Sequence, residues 1–229
     1  MELVKGNRTA ILIEPNSFIG KHTLDQLIIH EGYETIKVFS NRPQKIHHSK
    51  LQWHQFFYHS PELVFEHLKG DDLFWCRSSF KDWDEIDDPN TIKKSLPFKF
   101  AWEALGNGVN QFILLSSAAF MPWSTLPVFK ERSQLEEAIA QLPFWSVHIL
   151  KAPIVIEDSP KKSFGDQLAR RLAQLTGIIL DHLKPVEART VATAMIEAAT
   201  SSVDSGLYIY PPDHFQKKSK GKSVIIKPK

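Results

Sequence analysis

Short apolar runs alternate with amphipathic segments along most of this 229-residue chain. Continuous apolar runs of this length suit strands buried on both faces of a parallel sheet, whereas an apolar stripe at helical spacing suits a covering helix. Strands are predicted at 9–13, 35–39, 51–57, 73–76, 111–115, 146–150 and 206–210, and helices at 18–30, 61–68, 98–105, 132–141, 166–175 and 186–200. Because strands that alternate with helices form right-handed βαβ units, the sequence predicts an α/β fold with a doubly wound, mostly parallel sheet flanked by helices.

The length and charge of the chain limit its organisation and its partners. A single domain is predicted over 1–216, followed by a basic tail at 217–229 that is expected to be mobile, with weak polyanion binding as the alternative. A net charge of +2 provides no strong field for nucleic acid or an anionic membrane. The single cysteine, Cys76, excludes an internal disulfide framework and favours the reducing cytoplasm. We therefore expect a cytoplasmic protein that binds neither nucleic acid nor membrane.

Three segments have the pattern of a known family: Phe-Ile-Leu-Leu-Ser-Ser at 112–117, Leu-Glu-Glu-Ala at 135–138, and a longer stretch at 184–195. Together they resemble the atypical short-chain dehydrogenase/reductases, in particular the Tat-interacting-protein-like oxidoreductase branch. The resemblance extends over about 9–215. It implies a Rossmann-like fold of the NAD(P)-binding superfamily.

In that family the first strand ends in a Gly-x-x-Gly-x-x-Gly turn. Its glycines make the turn tight, let the backbone approach the pyrophosphate and pack the helix against the strand. The matching positions here are Glu14, Ser17 and Gly20. Only the packing glycine remains, Glu14 adds a carboxylate where the diphosphate would lie, and Pro15 removes a backbone N–H. This pattern predicts that packing is kept and dinucleotide binding is lost.

Two further segments match cofactor-binding positions of the family. Ser78 replaces a glycine that leaves room for the cofactor, and Arg77 precedes it. Because the first and fourth strands are neighbours in this topology, we hypothesise that Glu14 and Arg77 form an ion pair in the pyrophosphate site, with two independent solvated side chains as the alternative. Arg42 matches an arginine that can hold the 2′-phosphate of NADP, although an ordinary surface arginine is the alternative. We therefore expect no cofactor, or NADP if one binds.

The family's catalytic Tyr-x-x-x-Lys is missing as well. Counting from Ser116 and Ser117, the tyrosine position is Val128 and the lysine position is Arg132; a shifted register that uses Lys130 places Leu126 in the tyrosine position. Valine cannot transfer a proton, and arginine is too basic to tune a neighbouring phenol in the way a lysine does. Ser117 or its neighbour matches the catalytic serine, but serines at strand ends are commonly structural.

Other residue types point to packing. His47, His48, His54 and His59 lack the spacing of a metal motif, so we predict solvent-facing loop and edge-strand positions and no metal site. Cys76 is expected to be a small buried residue. Aromatic and Met side chains after two strands either fill the former cleft, which we favour, or line a new pocket; these are Trp75, Phe80, Trp83, Phe120, Met121 and Trp123.

Three functional hypotheses follow from these residues and from the resemblance. The first is a non-catalytic binding or regulatory protein, with a protein as its partner. The second is an NAD(P)H-dependent oxidoreductase with non-standard cofactor contacts. The third is a protein that binds a small apolar or anionic ligand in the remodelled cleft. We favour the first because phosphate binding and proton donation are lost at two independent sites.

Overall fold

The computed structural model describes residues 6–42, 46–76, 92–93, 95–117, 127–153, 155–156, 185–201, 204–215 and 225–227. The strands in chain order are β1 (Arg8–Ile13), β2 (Tyr33–Ser40), β3 (Leu51–Gln55), β4 (Asp72–Trp75), β5 (Gln111–Ser117), β6 (Ser146–Ala152), β7 (Val155–Ile156), β8 (Val186–Glu187), β9 (Gly206–Tyr210) and β10 (Ile225–Lys227). The helices are α1 (Phe18–Ile29), α2 (Leu96–Gly106), α3 (Pro127–Ala140) and α4 (Ala188–Thr200), with 3₁₀ turns at Pro61–His67 and Pro212–Phe215.

The main sheet has eight strands in the order β10-β9-β6-β5-β4-β1-β2-β3. Seven of them run parallel, and β10 pairs antiparallel with β9 at the edge. The strand order reverses between β1 and β4, and β1 lies directly beside both β4 and β2. The predicted doubly wound, mostly parallel sheet and the predicted contact of the first and fourth strands are confirmed.

Two apolar cores cover the two faces of the sheet. Within β1, Ala10 and Leu12 enter one core and Ile11 and Ile13 enter the other, and all four are 0% exposed. This two-residue alternation follows from strand geometry, so a strand buried on both faces must be apolar throughout. Helices α1 and α4 pack together on the first face, while α2 and α3 cover the second.

A buried ionic cluster lies at the amino ends of β1, β2 and β4, on the face covered by α4. Arg8 Nη2 donates to Asp72, and Arg8 Nη1 donates to the carbonyl oxygen of Ala199 in α4 at 3.1 Å. The Tyr33 hydroxyl donates to the second carboxylate oxygen of Asp72 at 2.7 Å. The Asp72 side chain is 0% exposed, and its burial raises the pKa of this carboxyl to about 6 in spite of the nearby guanidinium.

Some element boundaries differ from the sequence prediction. The predicted helix at 61–68 is a 3₁₀ helix at Pro61–His67. At its end the Leu68 amide donates to the carbonyl of Phe65, three residues earlier, as in 3₁₀ geometry. The predicted helix at 186–200 begins at Ala188, because the two residues before it form β8. The basic segment that was expected to be mobile contains β10, and the predicted helix at 166–175 lies outside the described residues.

The described part of the chain contains no helix that is both long enough and apolar enough to cross a bilayer.

Candidate functional site

The turn between β1 and α1 begins with a residue in the left-handed region. Glu14 has φ +57°, and it is buried with 5% exposure. A non-glycine residue pays about 1 kcal/mol for this backbone conformation, which glycine adopts without that cost. The turn therefore keeps the backbone shape that suits a first glycine, although a glutamate occupies the position.

The Glu14 side chain links the ends of two neighbouring strands. Its Oε1 accepts a hydrogen bond from the Asn41 amide at 3.3 Å, just beyond the end of β2. Its own amide donates to the Phe39 carbonyl at 2.8 Å. Arg77, its hypothesised ion-pair partner, lies outside the described residues, as does Ser78.

Ser17 and Gly20 form the start of α1. Ser17 is the N-cap: its Oγ accepts from the Gly20 amide at 2.9 Å and donates to the Cys76 carbonyl at 3.0 Å. A Cβ added to Gly20 would lie 2.8 Å from Pro15 Cα and 2.9 Å from the Glu14 carbonyl oxygen, which is closer than real Cβ contacts allow. The helix and the turn can approach this closely only because Gly20 has no side chain.

The end of β2 is held by internal hydrogen bonds. Ser40 Oγ accepts from Asn16 Nδ2 at 2.9 Å and from the Arg42 amide at 3.1 Å. Arg42 itself is exposed, which is compatible either with an anion contact or with an ordinary surface arginine.

A second polar cluster connects β5, α3 and β6, at the carboxyl ends of the two strands. The Ser116 hydroxyl donates to Glu136 Oε1 at 2.5 Å, and Lys151 Nζ lies 2.9 Å from Glu136 Oε2. Ser116 and Lys151 are direct neighbours in the β5–β6 pairing. We call Ser116, Glu136 and Lys151 the β5–β6 cluster. It brings a hydroxyl, a carboxylate and an ammonium together where open α/β sheets bind ligands.

The predicted catalytic positions lie on β5 and α3, the elements that carry Ser116 and Glu136. Arg132 is buried one helical turn before Glu136, and burial lowers the pKa of its guanidinium to about 10 while the Glu136 charge acts in the opposite direction. Val128 lies on the first turn of α3, and Ser117 is half-buried at the end of β5. The sequence reasoning did not select Glu136, although its four-residue spacing from Arg132 places the two on one face of the helix.

His54 lies on the edge strand β3, as predicted, but its ring does not face the solvent. His54 is half-buried, and its ring stacks between Phe39 and His67, with centroid distances of 4.8 and 4.6 Å. The other three, His47, His48 and His59, are exposed. Within the described ranges, no three His, Cys, Asp or Glu side chains group in a way that could hold a metal ion.

Two residues at the end of β4 are buried. Cys76 is a free thiol, and burial raises its pKa to about 12, so it is not a reactive thiolate at neutral pH. Trp75 is 2% exposed and packs against Phe100 at a centroid distance of 5.9 Å. Trp75 thus fills the core, and the other aromatic and Met residues that were expected to fill or line the cleft lie outside the described residues.

The comparisons with known proteins identify the fold. No family model matches the sequence, and no curated protein matches it. Among solved structures, the enzyme WbmH from Bordetella bronchiseptica in complex with NAD+ is 14% identical with a TM-score of 0.60, over 90% of this chain and 75% of that chain. The GalE-like L-threonine dehydrogenase from Cupriavidus necator is 16% identical with a TM-score of 0.61, over 90% and 78% of the two chains. A putative epimerase from Bacteroides thetaiotaomicron is 15% identical with a TM-score of 0.58, over 89% and 97% of the chains. This chain therefore has the Rossmann-like fold of the NAD-binding, short-chain-dehydrogenase-like enzymes.

Proposed function

We propose that this chain is a non-catalytic binding or regulatory protein that uses a reductase fold to bind a protein partner and no longer binds a dinucleotide. The observation that carries the proposal is the buried Glu14 in the β1–α1 turn. In a dinucleotide-binding fold, this turn and the start of the following helix hold the pyrophosphate.

The turn fits a diphosphate poorly for two reasons. A pyrophosphate requires backbone N–H groups that can donate to it, and here the Gly20 amide donates to Ser17 while the Asn41 amide donates to Glu14. The Glu14 carboxylate, at 5% exposure, also occupies the turn that holds the diphosphate in this fold. A diphosphate that accepted from the Gly20 amide would have to break the bond of that amide to Ser17.

The β5–β6 cluster supports the loss of reductase chemistry. Reduction of a carbonyl in this fold needs a proton donor beside the serine, and the residues of α3 include no tyrosine. The Ser116 hydroxyl already donates its only hydrogen to Glu136, so it is not free to donate to a substrate. The β5–β6 cluster therefore connects β5, β6 and α3 by internal contacts.

The test is calorimetric titration of the protein with NADPH and NADH, together with thermal shift. We expect no heat and no rise in melting temperature up to millimolar cofactor, since a ligand that binds only the folded state must stabilise it. The double variant Glu14→Gly/Ser17→Gly restores the glycine turn and should gain measurable binding. The matched control is Glu31→Gly/Ser201→Gly, which makes the same two changes at exposed positions away from the turn.

Micromolar binding by the unmodified protein would overturn the proposal. The NAD(P)H-dependent oxidoreductase hypothesis would then take its place, with Arg42 as the candidate 2′-phosphate contact and NADP as the favoured cofactor. We also propose a reducing compartment, the cytoplasm, because the one cysteine of the chain is a buried free thiol.

A further inference from the structure

The side chain of His148 is buried on the face of the sheet that α4 covers. His148 lies on β6 and is 0% exposed. Its Nδ1 is 3.0 Å from the Tyr210 hydroxyl, and its Nε2 is 3.0 Å from Ser146 Oγ. The ring of Tyr208 stacks on it at a centroid distance of 4.9 Å and an angle of 10°. Both tyrosines belong to β9, so His148 adds side-chain contacts to the backbone pairing of β6 with β9.

The hydrogen bonds around the ring fix its tautomer. Gln111 Nε2 donates to the Ala199 carbonyl at 3.3 Å, which leaves Gln111 Oε1 as an acceptor. The Ser146 hydroxyl donates its hydrogen to that oxygen at 2.9 Å. Ser146 can therefore only accept from His148, so Nε2 carries the proton and Nδ1 accepts from the Tyr210 hydroxyl. In this arrangement the imidazole is neutral, because Nδ1 accepts and carries no proton.

The surroundings of the ring do not compensate a positive charge. From β9 it faces Tyr208 and Tyr210, and the neutral Gln111 of β5 lies beyond Ser146. Beyond Tyr208 lies the exposed Asp204, and beyond Tyr210 lies His214, at a centroid distance of 5.0 Å from the Tyr210 ring. On α4, Glu197 is exposed; burial lowers the pKa of His214, and the charge of Glu197 acts in the opposite direction. None of the described carboxylates bonds to the His148 ring, and burial lowers the pKa of the imidazole to about 4.

We propose that His148 is an acid-sensitive switch at one edge of the sheet. Neutral His148 holds β9 against β6, and protonation of His148 releases β9 together with the 3₁₀ turn at Pro212–Phe215 and β10. Protonation turns Nδ1 from an acceptor into a donor, so the Tyr210 hydroxyl must reverse its direction. The new charge is stabilised by contact with water, and movement of β9 away from β6 brings water to the ring. Since β9 and β10 form one edge of the sheet, they can open while the other six strands stay paired.

The size of the effect follows from proton linkage. In the open state the imidazole has its ordinary pKa of 6.5, whereas in the closed state the pKa is about 4. Acid therefore favours the open state, and the opening equilibrium constant should rise by about 30-fold between pH 7.5 and pH 5. The ionic cluster of Arg8, Tyr33 and Asp72 reaches this network through the Ala199 carbonyl, which accepts from both Arg8 and Gln111, so a variant of His148 is needed to separate the two groups.

The test is amide hydrogen exchange at pH 7.5 and pH 5, corrected for the intrinsic pH dependence of exchange. We expect the amides of 207–210 to lose protection by about 30-fold at pH 5 while those of 10–13 do not. The His148→Gln variant cannot take up the proton and should lose this pH dependence. His59→Gln, which changes an exposed histidine, should retain it. Equal protection of β9 at both pH values in the unmodified protein would overturn the proposal.

A second measurement needs no variant. Nitrogen-15 chemical shifts of the imidazole report the tautomer and the protonation state directly. We expect a neutral ring protonated on Nε2 at pH 5.5 in the closed protein. A ring protonated on Nδ1, or one that titrates at or above pH 6 while the amides of β9 stay protected, contradicts this proposal.

Discussion

Glu14 occupies a backbone conformation that favours glycine, and its carboxylate bonds to the Asn41 amide. We expect Glu14→Gly to be more stable than Glu14→Ala by about 1 kcal/mol, because both variants lose the hydrogen bond and only glycine avoids the cost of positive φ. At the exposed Glu31, whose φ is not positive, alanine should be equal to or better than glycine. Urea unfolding of the four variants measures both differences. The same order at both sites would show that the left-handed conformation of Glu14 is not strained.

Gly20 allows α1 to pack against the turn. We expect Gly20→Ala to destabilise the protein by about 2 kcal/mol or more, because the new methyl group meets backbone atoms that cannot rotate away. Gly106 is the matched control: it lies at the end of α2, and a Cβ there meets nothing within 4 Å. Gly106→Ala should be neutral or stabilising by up to about 1 kcal/mol. Thermal and urea unfolding of both variants checks the contrast.

Much of the element order could be predicted from the sequence, and the reasons differ between elements. The central strands bury both faces, so their apolar runs are visible without any tertiary information. By contrast, β10 has two isoleucines within a lysine-rich segment, and its formation depends on pairing with β9. At the site, the family resemblance located Glu14, Ser17 and Gly20. It did not reveal the Asn41 contact or the role of Glu136, because both depend on contacts between residues distant in sequence.

Helix α3 is attached to the sheet through the β5–β6 cluster. A double-mutant cycle with Ser116→Ala and Lys151→Met should give a coupling energy of about 0.5–2 kcal/mol, because both side chains bond to the same Glu136 carboxylate. The same cycle with Lys99→Met in place of Lys151→Met should give a coupling near zero, since Lys99 lies on α2 beside Phe98 and Trp102. Additive effects of Ser116→Ala and Lys151→Met would contradict the connection through Glu136.

The stability of the whole molecule depends on pH through Asp72. Burial raises the pKa of Asp72 from 3.8 to about 6, so the folded state takes up a proton that the unfolded state has released. The contribution of this group is therefore fully present below pH 3.8 and is lost as the pH rises through about 6. Asp72→Asn leaves Arg8 without its carboxylate and should lower stability at every pH. It should also make stability rise more steeply from pH 4 to pH 6, by about 2–3 kcal/mol over that interval. Urea unfolding at pH 4, 5 and 6 measures the slopes; an unchanged slope would show that folding does not shift the pKa of the Asp72 carboxyl.

Strand β10 covers the outer edge of β9, whose sequence is Gly-Leu-Tyr-Ile-Tyr. Removal of 217–229 should expose the unpaired backbone groups of this apolar strand, and such edges recruit strands from other molecules. We expect the truncated protein to form dimers or larger species by size-exclusion chromatography with light scattering. Lys227→Glu keeps the strand and should remain in the same state as the unmodified protein. A truncated protein of unchanged size would show that β9 needs no cover.

The same strand bears on the protein's resistance to aggregation in a crowded cell. β10 is three residues long and ends at Lys227, with Pro228 next in the sequence. Short length, a lysine and a nearby proline are the features by which natural sheets discourage edge-to-edge association between molecules. We expect β10 to protect the edge of the sheet in this way, so that its loss promotes assembly between molecules.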